Sequence, residues 1–233
     1  MTTATQSEPI APARSLLTAA DIPGLLRALG DIPAERVWLD PSPGTATEAD
    51  VVRWVDGDDK RLVELVNGTL VAKTVGNRES ELAALIIIAI GSFVYPRKLG
   101  KVYGADFMAR MTGRRNIRLP DVAYVAYADM PAGRSTQETV FSGAMTLAVE
   151  VLSPSNTRRE MEQKYREFFA SGTRLVWEID PDKRTVSVFD PADAIKPREV
   201  LSAQQSLDGG DVLPGLSLAL MDLFAEFDRT SPR

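Results

Sequence analysis

The chain contains no cysteine and no histidine. The first absence excludes disulfides and thiolate metal sites; it fits a reducing compartment, so the chain is read as cytoplasmic. The second removes the commonest general base and the commonest zinc ligand. Any catalysis must therefore use carboxylates, lysine, tyrosine or serine. Any metal centre must be rich in oxygen, which suits magnesium, manganese or calcium. No apolar run approaches the ~20 residues of a membrane span. The longest, Leu82 to Ile90, reads as a buried helix. The N-terminal stretch MTTATQSEPIAPARS lacks the basic start and apolar core of a secretory signal. A net charge of −5 argues against a general nucleic-acid coat protein, although a local basic patch is compatible with it.

What is present is ordinary in bulk: 233 residues, 44% hydrophobic and 25% charged, which suits one large domain or one domain plus an extension. Residues 1–15 are polar and rich in Pro, Ala and Thr, and read as disordered. Residues 16–60 read as a helical extension and connector. They hold a helix from Thr18 to Leu29 with Thr18 as N-cap, and a second helix starting near Thr47. The compact domain is expected over 61–226, with 227–233 as a tail. Asn67-Gly68 between apolar runs predicts a hairpin. Arg78 to Tyr95 is apolar almost all round and predicts a deeply buried helix. Strands are expected at Lys101–Met111, Ile117–Tyr127, Met145–Leu152, Leu175–Asp180 and Thr185–Asp190. GRRN at 113–116 reads as a turn and 131–136 as a loop. A helix is expected from Thr157 to Ser171, stopped by Gly172, and a short amphipathic helix closes the tail.

Two of these strands carry a carboxylate among apolar residues: Asp121 in IRLPDVAYVAY and Glu150 in MTLAVEVLSPSN. A buried lone carboxylate costs several kcal/mol (roughly) unless it is paired or binds a metal. Strand alternation leaves Glu150 as the exception on two apolar faces, near the C-terminal end of a central strand. A core salt bridge to an arginine is its bland alternative; for Asp121 it is a turn or cap role. Lys164 lies within the helical stripe Met161, Tyr165 and Phe168, so it points inward, unless it snorkels to water. Glu64 in LVELVNG repeats the signal as a further ligand or as an ion-pair partner. Two acids and an amine around a hard cation are the apparatus of phosphodiester hydrolysis.

From Arg61 to Phe224 the chain resembles the Uma-two family of restriction endonucleases, a branch of the PD-(D/E)XK nuclease superfamily. The resemblance rests on ELVNG at 64–68, PDV at 120–122, VEVLSPSN at 149–156, Lys164, GTRLVWEIDP at 172–181 and VLPGLSL at 212–218, in that order. It implies an α/β (α+β) fold with a mixed central sheet flanked by helices, and Asp121 and Glu150 as metal ligands. Two departures stand out. The superfamily lysine two residues after the second acid is Leu152 here, which suits an amine moved to Lys164. Many members carry a histidine at the start of the first buried helix, where this chain has Glu79 and Ser80.

The expected function is a divalent-metal-dependent endonuclease acting on nucleic acid, with DNA favoured, using Mg²⁺ or Mn²⁺. Asp121 and Glu150 would hold the ion, with Lys164 and Glu64 completing the catalytic set. Arg114, Arg115, Arg118, Arg158 and Arg159 are candidate backbone contacts. A homodimer follows from the need to cut two strands, and no membrane association is expected. The alternatives are a catalytically silent interaction module and a phosphoesterase acting on small nucleotides.

Overall fold

The computed structural model describes residues 21–74, 76–113, 116–131 and 138–230. The stretch 1–15, the Thr18 cap, Arg114, Arg115 and residues 132–136 of the expected loop lie outside the described residues. The elements in chain order are α1 (Ile22–Ala28), α2 (Glu48–Val55), β1 (Val63–Val66), β2 (Thr69–Ala72), α3 (Asn77–Val94) and β3 (Gly100–Tyr103). They continue with β4 (Ala109–Arg110), β5 (Ile117–Arg118), β6 (Val122–Ala126), β7 (Leu147–Val151), α4 (Arg158–Ala170), β8 (Leu175–Asp180) and β9 (Thr185–Phe189). The chain ends in β10 (Glu199–Ser202), β11 (Ser206–Gly209), β12 (Leu213–Ala219) and α5 (Leu220–Thr230). Among the described residues no helix is long and apolar enough to cross a membrane.

The principal sheet has six strands in the order β10-β9-β8-β7-β6-β3. Among the described residues of this sheet only β7 and β8 run parallel, with α4 as their crossover. The sheet is thus mixed and covered on both faces, as expected from the sequence. Alternation sorts its side chains. Leu147, Val149 and Val151 of β7 join α3 and α5 in one core, with Trp177 and Ile179 of β8. Ala148 and Val176 face the other way, against Met161, Tyr165 and Phe168 of α4. Glu150 shares the face of Ala148, which directs its carboxylate toward α4. A smaller sheet, β2-β1-β5-β4, packs its Val63, Leu65 and Ile117 against Val51 and Val55 of α2.

Several sequence expectations are corrected. The run Ile117–Tyr127 is two strands in two sheets, because Pro120 has no N–H to extend a ladder and the chain changes sheet across 119–121. Lys101–Met111 is likewise broken into β3 and β4. Helix α3 is buried along one side only, against the sheet, β12 and α5, and Ile88 stays 62% exposed. The hairpin β11–β12 and the edge strand β10 were not foreseen. The segment before Arg61 packs closely on the rest: Leu29 and Ile32 lie with Val66 and Val71, and Val51 and Val55 lie in the small-sheet core.

Helix α4 is anchored at its start. Thr157 caps it by accepting from the Glu160 amide at 3.1 Å, and the Glu160 carboxylate reaches back to the Thr157 amide. Thr157 Oγ1 donates to the Gly30 carbonyl. Gly30 sits at φ +91°, and a Cβ there would lie 2.6 Å from Glu160 Cα. Only glycine tolerates both conditions. Gly30→Ala is therefore expected to destabilise the fold by about 1–3 kcal/mol. Urea unfolding of the two proteins measures this directly; equal midpoints would show that α1 and α4 are not docked as described.

Candidate active site

Five elements converge where the two sheets meet. β1 supplies Glu64, the end of β2 supplies Lys73, and the crossing before β6 supplies Asp121. β7 supplies Glu150 and α4 supplies Lys164. All five side chains are buried or nearly so. The Lys164 ammonium lies 2.7 Å from Glu150 Oε1 and 2.9 Å from Glu64 Oε1. Glu64 Oε2 is 2.9 Å from Arg118 Nη1, and Arg118 Nε is 2.7 Å from Glu167. The result is an alternating chain of charge, Glu167–Arg118–Glu64–Lys164–Glu150. Asp121 stands beside it, 2.9 Å from Lys73 through Oδ1, while its Oδ2 accepts from the Val151 amide at 2.7 Å. The peptide of Leu119 ties the parts together. Its N–H donates to Glu64, and its carbonyl accepts from Lys73 at 2.7 Å and from Lys164 at 3.4 Å.

The structure thus brings together Asp121, Glu150, Lys164 and Glu64. Lys164 does not snorkel. Lys73 was not singled out in the sequence, although a charge inside TLVAKTV carried the same signal as Glu64. The buried pair Arg36–Glu160, bidentate at 2.9 and 2.7 Å, was also missed; Arg36 lay in the presumed connector. Arg118 is corrected. It is buried between Glu64 and Glu167 and cannot reach a phosphate backbone. Arg158 and Arg159 are exposed, Arg158 beside Glu162 and Arg159 3.0 Å from Asp31. Glu79 and Ser80 share a cleft of about 150 Å³ with Asp121.

The electrostatics are uneven. Burial pushes the Glu64 carboxyl up, but Lys164, Arg118 and the Leu119 amide outweigh it and hold it well below the usual range. Burial lowers the Lys164 ammonium, yet Glu150, Glu64 and Asp121 outweigh it, so the amine stays charged. Burial dominates at Glu150. With Asp121 and Glu64 nearby and Lys164 shared, its pKa is pushed up to about 8. Five carboxylates here (Glu64, Asp121, Glu150, Glu160, Glu167) face four cations (Arg36, Lys73, Arg118, Lys164). One negative charge is in excess, which acts in the same direction as burial on the Glu150 carboxyl.

Asp121, Glu150, Glu64, Lys73 and Lys164 line a cleft of about 20 Å³, room for one water-sized particle. Glu150 Oε1 receives no well-aligned hydrogen bond despite its burial. That oxygen does lie 2.7 Å from the Lys164 ammonium, so the fit to a small hard cation rests on two buried carboxylates, Glu150 and Asp121, lining room for a single particle. Among the described residues no group of three or more acids is gathered closely enough to hold an ion by itself. An ion in this cleft would have two carboxylates, Asp121 and Glu150, as its ligands, with water making up the remainder.

Residues 49–221 match the family model Uma2, described as "Putative restriction endonuclease". A solved structure, a "putative nuclease belonging to DUF820" from Anabaena variabilis ATCC 29413, is 20% identical with a TM-score of 0.62. The match covers 72% of this chain and 92% of that one, and it shows a shared fold. No curated protein matches.

The Glu150 shift gives a pH test on metal-free protein. The folded state keeps this proton from the ordinary value of 4.5 up to about 8, whereas the unfolded chain releases it. Stability should therefore fall as pH rises through that window, by an amount on the order of a few kcal/mol at most. Glu150→Gln should flatten the fall and match or exceed the wild type near pH 8. Melting temperatures across the window decide it; a parallel fall in both proteins would assign the pH dependence elsewhere.

Proposed function

As the chain belongs to the Uma2 family, we propose that it is a divalent-metal-dependent endonuclease that hydrolyses phosphodiester bonds of nucleic acid, DNA being the favoured substrate. The observation that carries this reading is the convergence of two buried carboxylates, Asp121 and Glu150, on one small cleft, with the Lys164 ammonium 2.7 Å from Glu150. Asp121 and Glu150 would hold Mg²⁺ or Mn²⁺. The ion supplies Lewis acidity and charge neutralisation at the scissile phosphate.

The chain's own residues then divide the work. Lys164, kept charged by its carboxylates, cannot act as a base. It offers a fixed positive charge and N–H donors to the attacking water or to the charge that develops on phosphorus oxygens. Glu64 positions Lys164, and Arg118 positions Glu64. Lys73 holds Asp121 and adds a second ammonium near the cleft. Backbone contact falls to exposed cations outside it. Arg159 lines a groove of about 430 Å³ with Arg27 and Arg166. Arg158 is exposed at the start of α4. A homodimer would place two such clefts on a duplex.

The self-neutralised cleft also favours a second reading, a catalytically silent interaction module that kept the fold. One experiment separates them. Wild-type protein should bind Mn²⁺ and cleave nucleic acid only with Mg²⁺ or Mn²⁺ present, and Asp121→Ala should lose both. Lys164→Met should keep ion binding and lose turnover by about two to three orders of magnitude, the scale for one preorganised charge stabiliser. Wild-type rates in Lys164→Met would remove the lysine from the mechanism. A wild type that binds neither ion nor nucleic acid would establish the silent module.

A further inference from the structure

A cleft next to the candidate active site is chemically unlike it. It measures about 430 Å³ and is walled by Tyr103, Phe107, Phe141, Met108 and Met130. Tyr103 and Phe107 stack at 4.3 Å with 25° between planes, and Phe107 lies 5.3 Å from Phe141. All three rings are half-buried and line the cavity, and Tyr103 and Phe107 also pack on the core. Its rim carries Asp56, Asp106, Glu138 and Lys60, with Lys60 3.0 Å from Asp106.

Position links this cavity to the scissile site. Gly104, Asp106 and Phe107 line it, while Ala105, in the same segment, lines the small cleft of Asp121, Glu79 and Ser80. Lys73, the partner of Asp121, is also close enough to lower the Asp106 carboxyl, although Lys60 does more. The two clefts are therefore two sides of one short stretch of backbone.

We propose that the aromatic cavity takes one unstacked nucleobase of the substrate strand, next to the phosphate at the Asp121–Glu150 cleft. The inference rests on the endonuclease reading and narrows its substrate class. Stacked rings favour a flat π-face over an aliphatic ligand. Among the described residues the lining carries three carboxylates and one ammonium, a balance that disfavours phosphate. It also supplies acceptors for the exocyclic amino groups of cytosine or adenine. A base can enter such a cavity only when it is unpaired, so the favoured substrate is single-stranded nucleic acid or a duplex with an extruded nucleotide.

The test uses the full chain, without divalent ion to prevent cleavage, and fluorescein-labelled oligonucleotides read by anisotropy. Single-stranded oligo(dC) should bind more tightly than the same sequence as a duplex. Replacing nucleotides by abasic sites should weaken binding by about 5- to 150-fold, the range for one stacked base. Phe107→Leu should weaken binding of the intact strand similarly and be nearly insensitive to the abasic change. Because Phe107 packs on the core, Thr139→Trp, on the cavity wall, provides a second variant that obstructs the space while keeping the rings. Nucleic acid binding or cleavage by the wild type that ignores the abasic sites and both variants would overturn the base pocket and leave the endonuclease reading standing. A wild type that binds no nucleic acid and cleaves none would overturn both.

Discussion

One ammonium, that of Lys164, is shared between Glu64 and Glu150, and the relative placement of three elements depends on it. β1 belongs to the small sheet, β7 to the large one, and α4 spans β7 and β8. Apolar packing brings them together without fixing their register to an ångström. The shared lysine does that, because each buried carboxylate left alone would incur several kcal/mol, as an order of magnitude. Arg118 extends the constraint to Glu167 on a later turn of α4. The charges therefore act as a unit. Removing an interior member strands a neighbour, which is far costlier than the net worth of any one pair.

The ends of this chain of charge differ. Glu167 keeps some contact with solvent and accepts from Arg118, Asn116 and Gln163. Glu150 is sealed in, and its Oε1 meets a lysine that it shares with Glu64. The unsatisfied charge is concentrated where β7 ends, next to the Asp121 crossing. This is the place a layered fold offers to a ligand, since strand ends open on loops while strand centres are covered. The acidic net charge of the whole chain says little about this locality. Arg27, Arg159 and Arg166 gather on one groove, while carboxylates gather at the aromatic cavity.

The crossing at 119–121 does two jobs at once. Pro120 ends β5, and the following turn delivers Asp121 to the large sheet with its carboxylate on the Val151 amide. Leu119, one residue earlier, presents its carbonyl to both lysines. A backbone that leaves one sheet for another must satisfy its peptide groups locally. Here the catalytic candidates themselves satisfy them, so fold and site are not separable in this stretch.

The sequence by itself determined which residues are exceptional. A carboxylate in an apolar strand, as with Asp121, Glu150 and Glu64, and a lysine in a helical apolar stripe stand out because burial is written in the periodicity of their neighbours. The same periodicity located β1, β2, β7, β8, β9 and α4. The shared family motifs pointed to the mixed, helix-flanked sheet. What only the tertiary structure decided is who meets whom. Arg118 read as a backbone-contact cation because it precedes the acid together with Arg114 and Arg115; its true partners, Glu64 and Glu167, are 54 and 49 residues away. Arg36 and Lys73 went unnoticed for the same reason. Local pattern reports whether a side chain is buried, but pairing of charges is a long-range contact, and nothing in a ten-residue window encodes the partner. The split of Ile117–Tyr127 between two sheets also lay beyond local pattern. Both halves have strand composition, and the choice of neighbour is made by packing.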